Sequence, residues 1–138
     1  MAISDIFAKL NAHLIEGMMF HDRMANYFDF LGLMGYKRMH EYHFLRESAE
    51  MRGLNRYYLN HYNRLIPDTA VTAPQVIPAV WYNHSRKDVE SSTKKTAVEA
   101  AIDQWAEWEH ESKNRISFSL WKTFFNSAIW VLIFLRPK

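Results

Sequence analysis

The chain has 138 residues, of which 49% are apolar and 15% aromatic, and its formal charge is +2 at pH 7. These values are typical of one globular domain, here residues 1–138, and they exclude an intrinsically disordered chain. The basic residues are scattered rather than gathered into a patch, so we expect no nucleic-acid partner. Cysteine is absent, which excludes disulfides and thiolate metal sites and fits a cytoplasmic protein.

The first predicted element is a helix over residues 4–31. Its apolar residues recur at the spacing of an amphipathic helix: Ile3, Phe7, Leu10, Leu14, Met18, Met24 and Phe28. His21 lies near the middle of this face, where we expect a core histidine whose hydrogen bonds are satisfied. His13 lies on the flank of the face, and Glu16 lies nearer to solvent.

A second long helix is predicted over residues 36–65. Only a short gap containing Gly32 and Gly35 separates it from the first helix. Two long helices joined by so few residues pack against each other, so the pattern predicts an antiparallel helical hairpin.

The second helix carries polar residues on the face that should be buried. Its apolar stripe consists of Tyr36, Phe44, Met51, Leu54, Tyr58, Tyr62 and Leu65. His40, His43, Glu47 and Glu50 fall within the same stripe, with Glu47 at its centre. A buried carboxylate is costly unless it is paired or binds a metal ion, so these groups require either partners or a metal. We expect His40 at the solvent edge of the stripe.

The connection over residues 66–87 is long for a compact domain. It contains Pro67, Pro74 and Pro78 together with apolar residues such as Trp81. A connection of this length can cross a bundle from one end to the other. The helices on either side of it therefore need not be antiparallel neighbours.

Two further helices are predicted in the remainder of the chain. The third covers residues 88–124, with an inner face of Val98, Ile102, Trp105, Ala106, Ile116, Leu120 and Phe124. Glu109 falls at the centre of that face, as Glu47 does in the second helix. The last helix, residues 126–135, is short and strongly apolar and contains no His, Asp or Glu.

Inward-facing carboxylates with histidines on the same faces indicate a metal site inside a helical bundle. Iron and manganese accept such mixed oxygen and nitrogen ligands, and two metal ions need several carboxylates to balance their charge. The same number of residues separates His13 from Glu47 and Glu16 from Glu50. An antiparallel hairpin can place the members of each pair at similar heights.

Two segments resemble the ligand-bearing runs of the ferritin-like superfamily: Phe-Leu-Arg-Glu-Ser-Ala-Glu-Met at residues 44–51 and Glu-Trp-Glu-His-Glu at residues 107–111. The long crossover also stands where that family has one. The resemblance implies an all-α ferritin-like bundle with two long hairpin helices, a crossover, a long third helix and a short apolar C-terminal helix.

The resemblance further implies a carboxylate-bridged di-iron site, or a manganese site, that oxidises ferrous iron with oxygen or peroxide. Iron storage or oxidative-stress protection would be the corresponding role. The implied metal ligands are Glu16, Glu47, Glu50, Glu109, His13 and His43.

The sequence departs from the family pattern of a glutamate and a histidine three residues apart in helix two. If Glu50 is that glutamate, Gly53 stands where the family has histidine. If it is Glu47, Glu50 stands there and helix one offers His13 rather than Glu16. Periodicity favours Glu47 and local likeness favours Glu50, so both registers remain open. In either register the short fourth helix supplies no ligand.

Two alternatives differ in class from a ferroxidase-like enzyme. Glu47 and Glu109 could instead be buried structural carboxylates paired with His21, His43 or arginines, in a metal-free structural or assembly protein of the same fold. Residues 116–135 have the length of a membrane span, which would give a tail-anchored protein. Because this segment contains Lys122, Asn126 and several serines, we favour a buried helix pair or the interface of a homo-oligomer, and we expect no membrane partner.

Overall fold

The computed structural model describes residues 2–89 and 91–115, and this part of the chain contains three long helices and no strand. We number them α1 (Ile3–Phe30), α2 (Met34–Tyr62) and α3 (Ser91–Arg115). Two short 3₁₀ helices, Ala79–Trp81 and Arg86–Asp88, lie in the connection between α2 and α3. The predicted all-helical class is confirmed for the described residues.

Several predicted features lie outside the described residues. They are the fourth helix at 126–135, the continuation of the third helix to residue 124 and the apolar segment 116–135 with its oligomer interface or membrane anchor. Within the two described ranges, none of the helices combines the length and apolarity needed to cross a membrane.

The turn between α1 and α2 is set by one glycine. Gly32 has a φ of +80°, in the left-handed region that is accessible to glycine without steric cost. Its backbone N–H donates to Asp29 O, and the Leu33 N–H donates to Phe28 O at 2.8 Å. These bonds satisfy carbonyls at the end of α1 and reverse the chain within three residues.

The two long helices pack antiparallel, as the short turn predicts. Near the start of α1, the ring of Phe7 lies 4.8 Å from that of Tyr58, close to the end of α2. Further along, Asn55 Nδ2 donates to Asn11 Oδ1 at 2.7 Å. Beside the turn, Phe28 stacks on a residue at the start of α2, Tyr36, at 5.0 Å. Contacts therefore follow the hairpin along its whole length.

The helix α2 ends three residues before the predicted boundary. Its C-cap, Asn63, adopts a left-handed conformation with a φ of 54°, which asparagine tolerates better than most residues. Leu65 consequently lies beyond the helix and is 78% exposed. Periodicity alone predicts that Leu65 extends the buried stripe, and the structure shows that it does not.

Two apolar clusters are buried at different heights of the hairpin. At its open end lie Phe7, Leu10, Leu54, Tyr57 and Tyr58. The second cluster lies towards the turn and includes residues of the crossover and α3: Phe20, Met24, Tyr27, Phe28, Leu31, Val76, Ala97 and Ala101. His21 of α1 and His40 of α2 are also buried.

The crossover and α3 are attached to the hairpin by specific contacts. Asp29, near the end of α1, lies 3.3 Å from Lys37 Nζ and 3.1 Å from Arg86 at its two carboxylate oxygens. Gln104 Nε2 in α3 donates to the Gln75 carbonyl at 2.7 Å. Together with the burial of Val76, these contacts hold α3 where its tryptophans cover the hairpin.

Candidate functional site

Two histidines from opposite helices meet in the interior. His21 of α1 is 2% exposed and His40 of α2 is 0% exposed, and their Nδ1 atoms lie 2.9 Å apart. The expectation that His40 stands at the solvent edge is wrong. The ring of Phe28 stacks on His40 at 5.4 Å, and that of Trp105 in α3 lies 4.7 Å away in an edge-to-face arrangement, so aromatic side chains exclude water from it.

The carboxyl group of Glu47 fills a notch in α1. A Cβ at Gly17 would lie 2.9 Å from Glu47 Cδ and 3.0 Å from Oε1, so the carboxyl group fits only because residue 17 has no side chain. Oε1 lies 3.7 Å from His21 Nε2. Oε2 is buried and has no hydrogen-bond partner among the described residues.

His43 and Glu50 complete the polar cluster on α2. The ring of His43 stacks on that of His21, with centroids 4.9 Å apart. Glu50 Oε1 accepts a hydrogen bond from Arg46 Nε at 3.0 Å, across one helical turn. Of the two glutamates, Glu50 is thus already neutralised by an arginine, whereas Glu47 turns towards the histidines.

Burial decides the protonation of these groups. Burial, with smaller contributions from His40 and His43, lowers the pKa of His21 from 6.5 to about 3. It lowers the pKa of His40 to about 4, with a smaller contribution from His43. Desolvation disfavours a charged imidazole, so both rings are neutral near pH 7.

The pKa of Glu47 shifts in the opposite direction. Burial, with smaller contributions from the charges of Glu50 and Glu109, raises it from 4.5 to about 8, although Arg46 opposes the shift. Burial also raises the pKa of Glu50, and the hydrogen bond from Arg46 limits the rise. At neutral pH Glu47 therefore holds its proton, and its 3.7 Å contact with His21 joins two neutral groups rather than a salt bridge.

The other sequence-predicted residues occupy different surroundings. His13 stacks parallel to Trp108 at 6.0 Å. Glu16 accepts a hydrogen bond from the Thr72 amide of the crossover at 3.2 Å. Glu109, expected at the centre of the inner face of α3, is exposed. It accepts a hydrogen bond from Trp105 Nε1 at 3.3 Å, yet its charge still acts on Glu47.

The structure adds His21, His40 and Gly17 to the candidate site. One sequence signal could have identified the histidines, because His40, His43 and Glu47 follow the spacing of a single helical face and His21 interrupts an apolar face of α1. No pattern within one helix identifies Gly17, because its role depends on which residue of α2 lies opposite.

The donor set suits a transition metal. Neutral imidazoles and a carboxylate are the usual ligands of zinc, ferrous iron and manganese, and two histidines with one carboxylate are typical of non-haem iron. The buried Glu47 Oε2 atom, without a partner in the described chain, offers a further donor. Among residues 2–89 and 91–115, however, no group of three or more His, Asp or Glu side chains is arranged to hold a metal ion as it stands. His21 Nε2 and Glu47 Oε1 lie 3.7 Å apart.

Comparisons with known protein families, with curated proteins and with solved structures find no match to this chain.

Proposed function

We propose that this protein is a ferritin-like metal-binding helical bundle whose site lies between α1 and α2, and that its physiological metal is iron or manganese. One observation carries the proposal: a buried carboxyl group, Glu47, faces a neutral buried imidazole, His21, across 3.7 Å. A buried base and a largely buried, uncharged acid contribute less to stability than apolar residues of similar size would. A bound cation gives both groups a function.

Three residues would hold the metal ion. His21 would contribute Nε2 and Glu47 its carboxylate, and His43, stacked on His21, would supply the third ligand after a rotation. This arrangement supports Glu47 rather than Glu50 as the principal carboxylate of α2, because Glu50 is engaged by Arg46. The set favours a single ion, and a bridged pair would have to recruit Glu50 and Glu109 as well.

The protein would bind the metal ion, orient its ligands and keep water away from it. Bound iron would supply electron transfer to oxygen or peroxide, the ferroxidase chemistry that the resemblance implies. His21 is fixed by His40, Glu47 is fixed by the notch at Gly17, and Trp105 covers His40. Rigid ligands in a water-poor setting hold a metal in one geometry.

Metal analysis of purified protein tests this proposal. The protein would be produced with added iron or manganese and analysed beside Glu47→Gln, Glu50→Gln and Glu109→Gln. We expect about one metal ion per chain in the wild type and a loss in Glu47→Gln. Glu41→Gln, which makes the same change on an exposed part of α2, is the matched control and should retain metal.

A metal-free wild type under all of these conditions would overturn the proposal. A metal content unaffected by Glu47→Gln would place the metal elsewhere in the protein. Either result is a direct measurement and does not depend on activity.

A metal-free structural or assembly protein of the same fold is the second candidate. It is favoured by the direct hydrogen bond between His21 and His40 and by the neutrality of both rings, since the two Nδ1 atoms pair with each other without a metal. This candidate predicts no metal and no change in melting temperature on chelation, whereas a metal present at 100 times its Kd would add about 2.7 kcal/mol of stability.

A further inference from the structure

Cations that are scattered along the sequence come together at the turn end of the molecule. Lys37 of α2 and Arg86 of the crossover both contact Asp29, at 3.3 Å and 3.1 Å. Lys94 of α3 reaches the turn itself, because its Nζ atom lies 3.4 Å from the position that a Cβ on Gly32 would take. Three segments that are distant in sequence therefore place positive charges around the turn between α1 and α2.

This surface, formed by residues 32–38, 80–89 and 91–95 and called the tip below, has an excess of positive charge. Asp88 is the one acidic residue in these ranges, and its carboxylate accepts a hydrogen bond from the Ser85 N–H at 2.7 Å. The basic residues are Lys37, Arg38, Arg86, Lys87, Lys94 and Lys95. Arg38, Lys87 and Lys95 are exposed and pair with no acidic side chain of the described residues. These three cations are available to an anionic partner.

Apolar side chains are exposed on the same surface. Val80 is 66% exposed, Tyr82 61% and Met34 41%. Trp81 anchors the crossover here, because its ring packs edge-on against that of Phe30 at 5.8 Å. Packing of this tryptophan leaves the residues on either side of it outside the core.

Further along α3 the charge is reversed. Between residues 98 and 112 this helix has five exposed acidic side chains and no lysine or arginine: Glu99, Asp103, Glu107, Glu109 and Glu111. These residues lead away from the turn, since Trp108 stacks on Phe20 in the middle of α1 at 4.6 Å. Such a charge separation orients the molecule with its tip towards a negatively charged surface.

We propose that the tip docks on the surface of an anionic lipid bilayer. Arg38, Lys87 and Lys95 would contact the headgroups, and Val80 and Tyr82 would enter the region between headgroups and acyl chains. Basic residues near an anionic leaflet and apolar side chains at headgroup level act together in reversible membrane binding.

This contact differs from the tail anchor that the sequence allows. The expectation of no membrane partner applied to a span at residues 116–135, whereas docking by the tip needs no span. A nucleic acid is the other polyanion that exposed cations could meet. Phosphate contacts would use the cations but leave Val80 and Met34 in water, so a bilayer accounts for more of the surface.

Co-sedimentation of the full chain with lipid vesicles tests the proposal. Vesicles of phosphatidylcholine and phosphatidylserine are compared with vesicles of phosphatidylcholine alone, at low and at high salt. We expect binding to the vesicles that contain phosphatidylserine, and weaker binding at high salt, because mobile ions screen the cations. Equal binding to both kinds of vesicle would indicate apolar contact alone, and it would overturn the proposal, as would binding to neither.

A pair of charge variants locates the contact. Lys87→Gln combined with Lys95→Gln should weaken binding to phosphatidylserine vesicles about 25-fold, at about fivefold per cation. The matched control is Arg52→Gln combined with Arg56→Gln, which removes the same charge from exposed positions of α2 away from the tip. It should remain within about threefold of the wild type. Equal losses in the two pairs would assign binding to net charge and overturn the role of the tip.

A second pair of variants tests the apolar part of the tip without changing its charge. Val80→Ser combined with Tyr82→Ser should weaken binding at least about tenfold, because the apolar area buried in the bilayer is lost. Tyr42→Ser combined with Leu45→Ser, at residues that are 62% and 66% exposed on α2, is the control and should bind as the wild type does. Unchanged binding of the Val80 and Tyr82 variant would contradict insertion at the tip.

A DNA duplex provides the comparison with a nucleic acid. Binding to the duplex in place of the vesicles, lost in the variant of Lys87 and Lys95, would assign the tip to a nucleic acid and overturn the proposal. Circular dichroism of each variant confirms that it is folded before its binding is measured.

Discussion

Gly17 and Glu47 share one space between α1 and α2: the carboxyl group of Glu47 occupies the position that a methyl group on Gly17 would take, with its Cδ only 2.9 Å from that point. Glycine in the middle of a helix costs about 1 kcal/mol relative to alanine. A buried polar group on the opposite helix costs more. Both costs fall at the same place.

We expect Gly17→Ala to couple strongly with Glu47→Ala. In the Glu47→Ala background the notch is empty, so alanine at position 17 should stabilise the protein by about 1 kcal/mol. In the wild type the added methyl must displace the Glu47 carboxyl group, which is the flexible end of a part-exposed side chain, so the gain should be smaller than in the Glu47→Ala background. Urea unfolding of the four proteins gives the coupling energy.

Gly35→Ala is the matched control for this cycle, because no heavy atom lies within 4 Å of the added Cβ. Its effect should be the same in both backgrounds. Additivity between Gly17→Ala and Glu47→Ala would show that the two residues do not compete for this space in solution.

Stability of the metal-free protein should pass through a maximum near neutral pH. Because the folded pKa of Glu47 is about 8 and its ordinary value is 4.5, its stabilisation is complete below 4.5 and disappears as pH rises through 8. His21 and His40 have folded pKa values of about 3 and about 4, so their stabilisation is present above 6.5 and disappears as pH falls.

Glu47→Gln should therefore remove the loss of stability on the alkaline side, steepen the rise between about pH 4.5 and 6.5, and leave the fall below about pH 4.5 unchanged. The Glu47 side chain is 23% exposed, so solvent screening reduces its contribution to the change in stability between pH 5 and pH 9 to about 2–4 kcal/mol. Chemical unfolding at a series of pH values, in chelator, measures it. If Glu47→Gln still loses stability as pH rises above 7, another group causes the loss.

The histidine pair should behave as a unit. His40→Leu leaves His21 with a buried nitrogen that has lost its partner, which should cost about 1–3 kcal/mol, and His21→Leu should act in the same way. The double variant removes both polar groups and should cost less than the sum of the two. A double-mutant cycle by thermal unfolding measures this difference, and strict additivity would contradict the hydrogen bond.

The open end of the hairpin should affect stability without affecting the site. Leu54 is 2% exposed, so Leu54→Ala should cost about 2–5 kcal/mol. Leu45, on the same helix, is 66% exposed, and the identical change there should stay within about 0.5 kcal/mol. Zinc affinity, measured by calorimetry where each variant is folded, should remain at the wild-type value in both. A loss of affinity in Leu54→Ala alone would mean that the whole hairpin is coupled to the site.

Much of the hairpin could be predicted from the sequence. Apolar spacing in α1 and α2, with only a short glycine-containing gap between them, predicts two packed helices, and the same spacing places Glu47 among residues of the buried stripe. The pattern could not determine the axial register between the helices, because periodicity within one helix contains no information about the other. That register is what sets Gly17 opposite Glu47 and brings His21 to His40.

Burial near the edge of a helical face is equally difficult to predict from spacing. His40 and Glu109 illustrate this in opposite directions. His40 was expected at the edge but is covered by Trp105 and Phe28. Glu109 was expected at the centre of the inner face of α3 but is exposed. In both cases a neighbouring element decides whether the side chain is buried, and the position of that element depends on tertiary packing.

The three-residue turn at Gly32 has a consequence for the order in which the protein folds. Every donor of the proposed site belongs to α1 or α2, so the site has a low contact order, and the loop that must close to form it is short. Trp105 belongs to α3, which the long crossover connects to the hairpin. Closing this longer loop costs more conformational entropy than closing the turn at Gly32. We therefore expect His21, His40 and Glu47 to meet while still hydrated and to lose their water in a later step, when α3 docks. A cation taken up from solution would enter during that interval, before the interior is sealed.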